Sequence, residues 1–258
     1  MIKFREYPIL EFDGESSNII DINSNVDMSI DVPDFCVISF FGDAVKRKIT
    51  NENCLTLGAL VMETFELPIY ECYASNGKKV ALMHGLGGGP YAAGQVEKLS
   101  ALGCKKYMVC GGCGMLTKGS KVGDLLIPKT ALRDEGTSYH YIPPSRTIDV
   151  NEVVLIKIID YLKKHDLGFE IVKTWTTDAM YRETVDMVAR RREEGCQVVE
   201  MECASFYAVG QYKNIEIGQL LYAGDDLSRP KWISRDWKKR TNIRDAILDL
   251  SIEICSIL

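Results

Sequence analysis

Short apolar runs that break off at glycine recur along this chain, and stretches with a helical rhythm separate them. Cys36-Val37-Ile38-Ser39-Phe40-Phe41 stops at Gly42, and Lys79-Val80-Ala81-Leu82 leads into Gly85-Leu86-Gly87-Gly88-Gly89. Lys106-Tyr107-Met108-Val109-Cys110 meets Gly111-Gly112-Cys113-Gly114, and Leu220-Leu221-Tyr222-Ala223 meets Gly224. A buried strand reads as a short continuous apolar run, whereas a helix repeats its apolar residues at three- and four-residue spacing. Strands alternating with helices predict an α/β fold, a central mixed sheet covered by helices on both faces.

The remaining elements follow from the same rules. Ser75-Asn76-Gly77 between the alternating runs 69–74 and 79–83 predicts a hairpin, because Asn-Gly suits the turn that joins paired strands. Helical patterns cover 44–65, 91–102 with Gly103 as the stop, 153–165, 185–194, 204–211 and 241–257. Further strands are expected at 124–128, 130–133, 198–200 and 215–223. Residues 1–34 are polar and rich in Asn, Asp and Pro turns, which marks an N-terminal extension ahead of a catalytic domain at 35–258.

At 258 residues and 46% hydrophobic content the chain can bury one large core, so a single domain is the economical reading. The formal net charge of −5 leaves no basic footprint for a nucleic acid. Nine cysteines, an odd number scattered through apolar segments, point to a reducing compartment. The start Met1-Ile2-Lys3-Phe4-Arg5 lacks a signal-peptide pattern, and no apolar run approaches the roughly 20 residues of a membrane span. A cytoplasmic protein with no membrane partner is expected.

Open α/β sheets bind ligands beyond the carboxyl ends of their strands, where the glycine runs fall. Cys110-Gly111-Gly112-Cys113 has C-x-x-C spacing, but no second pair or spaced histidines accompany it, so small residues lining a loop outweigh metal or redox chemistry. Glu200-Met201-Glu202 is more telling. A carboxylate can accept hydrogen bonds from two neighbouring hydroxyls, which suits Glu202 to the cis diol of a ribose. The alternative, a solvated strand end, is weakened by the apolar Val198, Val199 and Ala204 around the pair. Asp225 or Asp226 follows an apolar strand and could protonate a departing base; Asp226 is assigned a capping role.

These residues resemble the nucleoside phosphorylases of the purine nucleoside and uridine phosphorylase superfamily, which also holds methylthioadenosine and adenosylhomocysteine nucleosidases. The likeness runs from Phe35 to the C-terminus through Phe41-Gly42-Asp43, Gly85-Leu86-Gly87-Gly88-Gly89-Pro90, Gly111-Gly112-Cys113-Gly114, Val122-Gly123-Asp124, Arg133-Asp134-Glu135-Gly136-Thr137-Ser138, Thr177-Asp178 and Val199-Glu200-Met201-Glu202. It implies a single α/β domain whose mixed sheet is partly barrel-like. By that resemblance Glu202 grips the ribose hydroxyls, Met201 packs on the sugar, Glu200 supports the pocket and Asp225 assists departure of a purine. Met180, Tyr181 and Arg182 fall where the base is held, Gly111 and Gly112 border the substrate, and His140 reaches it across a subunit interface or is an ordinary packed histidine. Phosphate is expected on the backbone of Gly42 and Gly87 with Lys46 or Arg47.

The chain also departs from the family. A second phosphate arginine aligns with Val109, and a phosphate-binding serine or threonine aligns with Gly112. Valine supplies no charge, and lysine only a point charge, where the family has a planar bidentate cation. The expectation is therefore a phosphorylase converting a nucleoside, with a purine favoured, and phosphate to base and ribose 1-phosphate. A nucleosidase using water, or a non-catalytic nucleoside-binding protein, is the alternative. Inorganic phosphate would be the co-substrate, with no organic cofactor and no metal, and the family implies a homo-oligomer: a dimer, trimer or hexamer.

Overall fold

A computed structural model describes residues 2–15 and 18–258, and among these described residues the chain forms ten strands and six α-helices. Met1, Ser16 and Ser17 of the expected extension lie outside them. In chain order the elements are β1 (Phe35–Ser39), α1 (Gly42–Glu52), β2 (Leu55–Val61), β3 (Glu66–Tyr73), β4 (Lys79–His84), α2 (Gly89–Ala101), β5 (Lys106–Met115) and β6 (Leu125–Asp134). They continue with β7 (Thr147–Asp149), α3 (Glu152–Lys164), β8 (Glu170–Thr177), α4 (Val185–Glu193), β9 (Val198–Glu200), α5 (Cys203–Lys213), β10 (Glu216–Asp226) and α6 (Thr241–Cys255).

The strands β10, β6, β8, β9 and β5 pair in that order, and β5 pairs back to β10, so five strands close into a ring. From β5 the sheet opens outward through β1, β4, β3 and β2. This is the partly barrel-like mixed sheet that the family resemblance implies. Cys113 and Met115 of β5, Leu126 of β6, Val172 of β8, Val198 of β9, and Leu221 and Ala223 of β10 form one buried cluster. A cluster drawn from every strand of a closed ring fills its interior. Outside the sheet, α6 packs on α1, α3, β1 and β5, and α2 packs on α5, which contacts β6, β8 and β10.

Three sequence expectations are corrected. The helix expected at 44–65 ends at Glu52, because Asn53 takes the left-handed conformation (φ 50°) and its N–H caps Ile49 O. Leu55-Thr56-Leu57 then alternates as the start of edge strand β2. The stretch 111–114 and Gly224 lie inside β5 and β10 rather than in loops. The glycine at 114 permits a close approach within the ring, since a Cβ there would stand 2.5 Å from Leu227 Cδ1 and 3.0 Å from Val199 Cγ1. Finally, β8 was not anticipated, although it runs parallel between β6 and β9. The hairpin at Asn76-Gly77 is present, with Gly77 at φ 79°.

Candidate active site

The site begins where β9 turns into α5. Thr176 of β8 is in register with Glu200 at the end of β9, and this brings two threonine hydroxyls beneath its carboxylate. Thr174 Oγ1 and Thr176 Oγ1 donate to Glu200 Oε1 at 3.2 and 2.6 Å. The other oxygen, Oε2, accepts from Glu202 N at 2.8 Å and Cys203 N at 2.7 Å, the first turn of α5. Four donors use the acceptor capacity of this carboxylate within the chain itself. Glu200 therefore locks β8, β9 and the start of α5 together, and burial pushes its carboxyl up against the pull of those donors.

With the helix start satisfied by Glu200, Glu202 is released from capping, and its side chain crosses to the glycine turn between β4 and α2. Gly88 N donates to Glu202 Oε1 at 2.6 Å. Gly88 has φ 96°, a conformation that only glycine adopts without strain, and this rotation aims its amide at the carboxylate. Gln95 of α2, fully buried, stiffens the turn by accepting from Leu86 N (2.9 Å) and donating to His84 O (2.8 Å). Glu202 is only 8% exposed. Burial, and then the Glu200 charge, push its carboxyl up to about 8 against the Gly88 amide.

On the other side of the glycine turn, Gly42 opens α1, and the His84 ring lies 3.9 Å from where a Gly42 Cβ would be. Lys46 stands one turn further along α1, and its charge, after burial, holds the His84 imidazole below its ordinary value. Arg47 is committed elsewhere. It spans both oxygens of Asp245, with Nη2 at 2.6 Å from Oδ1, and reaches Asp43 at 3.2 Å. Of the two cations expected for phosphate, Lys46 is thus the one whose field reaches this end of the cleft. Val109 is fully buried, and a side chain at Gly112 would meet the Tyr222 ring at 3.2 Å, which accounts for the missing hydroxyl there.

Asp225 lies on β10, and the buried Cys113 thiol feels the charges of both Glu200 and Asp225, so the two acid centres flank one point of β5. Trp232 Nε1 donates to Asp225 Oδ2 at 2.5 Å. Glu183 joins them: burial, then the Asp225 charge, push it up to about 7, and with Val185, Leu227 and Trp232 it lines a cavity of about 270 Å³. Asp226 has the capping role expected of it, accepting from Ser228 N at 2.8 Å. Cys110 and Cys113 are both buried, and burial raises both thiols.

Other expected residues are placed less centrally. Met201 is half-buried beside Glu202 and Gly87 is exposed in the glycine turn, whereas Gly111 is buried behind Phe40, whose Cβ would be 3.6 Å from a Gly111 Cβ. Met180 and Arg182 bound a 3-10 turn after β8, with Tyr181 94% exposed and Arg182 exposed, so neither of these two packs on the cleft. His140 is exposed in a separate groove of about 960 Å³ with Asn18, Ile20, Pro90 and Tyr212. That groove adjoins the site through Asp178, whose charge acts on Glu202. Sequence reasoning missed Glu183, Trp232, Gln95 and Thr176. Only Thr184, which caps α4 by accepting from Met187 N, marked a helix start next to Glu183.

A five-stranded ring extended by a mixed sheet, with a buried acid at the end of β9 aimed at the glycine turn between β4 and α2, defines the α/β frame of the site. The chain belongs to the phosphorylase superfamily, whose family model matches residues 35–244. It is 28% identical to a guanosine phosphorylase of Halorubrum lacusprofundi over 133 residues, 52% of this chain and 55% of that protein. The chain spans about half the length of the curated relatives it matches. Its fold is similar to the crystal structure of uridine phosphorylase from Vibrio fischeri, with TM-score 0.74, 18% identity and coverage of 90% and 95% of the two chains. It is also similar to AMP nucleosidase from Bacteroides thetaiotaomicron, with TM-score 0.71, 22% identity and coverage of 89% and 90%. No helix among the described residues is long and apolar enough to cross a membrane.

Proposed function

We propose that this protein cleaves the N-glycosidic bond of a purine nucleoside, with inorganic phosphate as the attacking group, to give free base and ribose 1-phosphate. The observation that carries the reading is Glu202, a buried carboxylate held by one backbone amide at 2.6 Å and retaining acceptor capacity for a vicinal diol. Two vicinal sugar hydroxyls would donate to the acceptor positions that the Gly88 amide does not use. As the bond from C1′ to the base breaks, positive charge grows on the ribose, and a nearby carboxylate stabilises it. Asp225 gives a proton to the leaving base, a contribution typically of about 10²–10⁴-fold. Gly42, Lys46 and the amide of Gly87 are the groups we assign to phosphate.

A hydrolytic reading has its own support. Arg47 is bound to two carboxylates, Val109 is apolar, and Gly112 offers no hydroxyl, so among the described residues Lys46 is the cation at the anion end that stands outside an ion pair. Turnover of inosine, guanosine and uridine with and without phosphate separates the readings. Ribose 1-phosphate formed only in phosphate buffer supports phosphorolysis, and free ribose formed at equal rates in both buffers replaces it with hydrolysis. Binding without turnover of any nucleoside would leave a nucleoside-binding protein. We further propose a homo-oligomer in the cytoplasm, which light scattering and fractionation test.

A further inference from the structure

Asp225 is gripped by a side chain that the proposed reaction does not use. Where β10 ends, the chain folds back on itself: Asp226 N donates to Ile233 O at 2.9 Å, and Ile233 N donates to Asp226 O at 3.0 Å. This mutual exchange is a hydrogen-bonded antiparallel pair. Side chains alternate between the faces of such a ladder, so Leu227 and Trp232, one step further in, share a face with Asp225. Asp225 and Trp232 are diagonal neighbours, whose backbones stand about 7–8 Å apart, within reach of an aromatic side chain. The indole covers that span, and its Nε1 reaches Asp225 Oδ2 at 2.5 Å. The turn between them is held by Asp226, which accepts from Ser228 N at 2.8 Å and lies 3.6 Å from Arg229 Nε.

We propose that Trp232 is a positioning residue for Asp225, fixing which carboxyl oxygen carries the proton given to the base. An indole N–H donates and cannot accept, so the oxygen it holds is an acceptor. When Asp225 acts as the acid, the proton it gives therefore leaves from Oδ1, the oxygen that lies 3.6 Å from where a Gly114 Cβ would be. In the step itself the Oδ1–H proton passes to a ring nitrogen of the base. The bond from C1′ to the base breaks, and its electron pair stays with the base. Asp225 becomes a carboxylate, and the neutral hydrogen bond from Trp232 becomes a charge-assisted one, which is stronger. An interaction that strengthens as the reaction proceeds raises kcat rather than lowering KM.

This inference rests on the purine reading of the site, and the test separates the two. Inosine needs protonation of its base to leave, whereas 7-methylguanosine already carries a positive charge on the imidazole ring of the base and leaves without an acid. Trp232→Phe keeps a ring and removes the N–H at a residue that is 61% exposed, so the fold is not at stake, and thermal midpoints check this. Trp232→Phe is expected to lower kcat on inosine about 10-fold, with KM within about twofold, and to leave 7-methylguanosine turnover within about twofold. Equal losses on both substrates, or a change in KM alone, would make Trp232 only a wall of the cavity it lines with Glu183 and Leu227 and overturn the proposal. Asp225→Asn is the control for the parent reading. If it impairs inosine while Trp232→Phe does not, the positioning role fails alone; if Asp225→Asn turns over inosine as the wild type does, or the wild type turns over neither nucleoside, both fall together.

Discussion

Glu200 and Glu202 are two positions apart and meet opposite fates. The first is saturated by four donors inside the fold, while the second is buried with one amide and capacity left over. Because kcat/KM reports ionisations of the free enzyme, and the diol is best accepted by an ionised Glu202, kcat/KM is expected to rise with pH and level off above about 8. Glu202→Gln should remove that limb and cut the plateau by about 10²-fold or more, measured by initial rates across pH 5.5–9. Stability carries the same signature. The folded value of Glu202 stands above the ordinary glutamate value of 4.5, so the folded state holds a proton that the unfolded state gives up, and stability falls as pH rises from 4.5 through about 8. Glu202→Gln should therefore gain thermal midpoint relative to wild type at pH 8.5 and not at pH 4; equal shifts at both would contradict the burial argument.

Helix α2 shows how an element is tuned at one end for the site and left ordinary at the other. Its first residue, Gly89, packs so closely that an added Cβ would stand 2.5 Å from Ser205 Oγ and 2.8 Å from Thr137 Oγ1. Ser205 is itself held by Glu135 at 2.8 Å, so it has little room to give. Gly94, mid-helix, has nothing within 4 Å. Gly89→Ala is expected to cost about 1–3 kcal/mol, as overpacking does, and Gly94→Ala to stabilise by about 0.5–1 kcal/mol through helix propensity. Urea unfolding of the two variants checks opposite signs within one helix. The same contrast explains what was legible locally. Gly103 (φ 108°) and Gly77 (φ 79°) were visible as stops and turns because their chemistry is local. Asn53, whose left-handed cap cut the expected 44–65 helix short, was not seen, since Asn serves in helices, caps and turns alike.

The whole molecule is organised by the closed ring, which sets Glu200, Cys113 and Asp225 on adjoining strands. Leu126 is fully buried in the cluster that fills it. Leu126→Ala is expected to cost about 2–5 kcal/mol, read from denaturant midpoints, with activity falling as the ring that holds both acid centres loosens. An unchanged midpoint would mean that the ring tolerates a cavity and does not brace the site.

By themselves, the residues determined the alternation of strands and helices, the hairpin at Asn76-Gly77, the two acids after Val199 and the family motifs that carry the resemblance. All are patterns within a few positions, and short-range sterics and hydrogen bonding decide them. Only the tertiary structure decided that β8 inserts between β6 and β9, that the ring closes through β5 and β10, that Arg47 is spent on Asp245, and that Trp232 and Glu183 gather around Asp225. Those outcomes depend on which distant segments come to share a wall, and pairing of that kind is set by burial of the whole core rather than by any local run of residues.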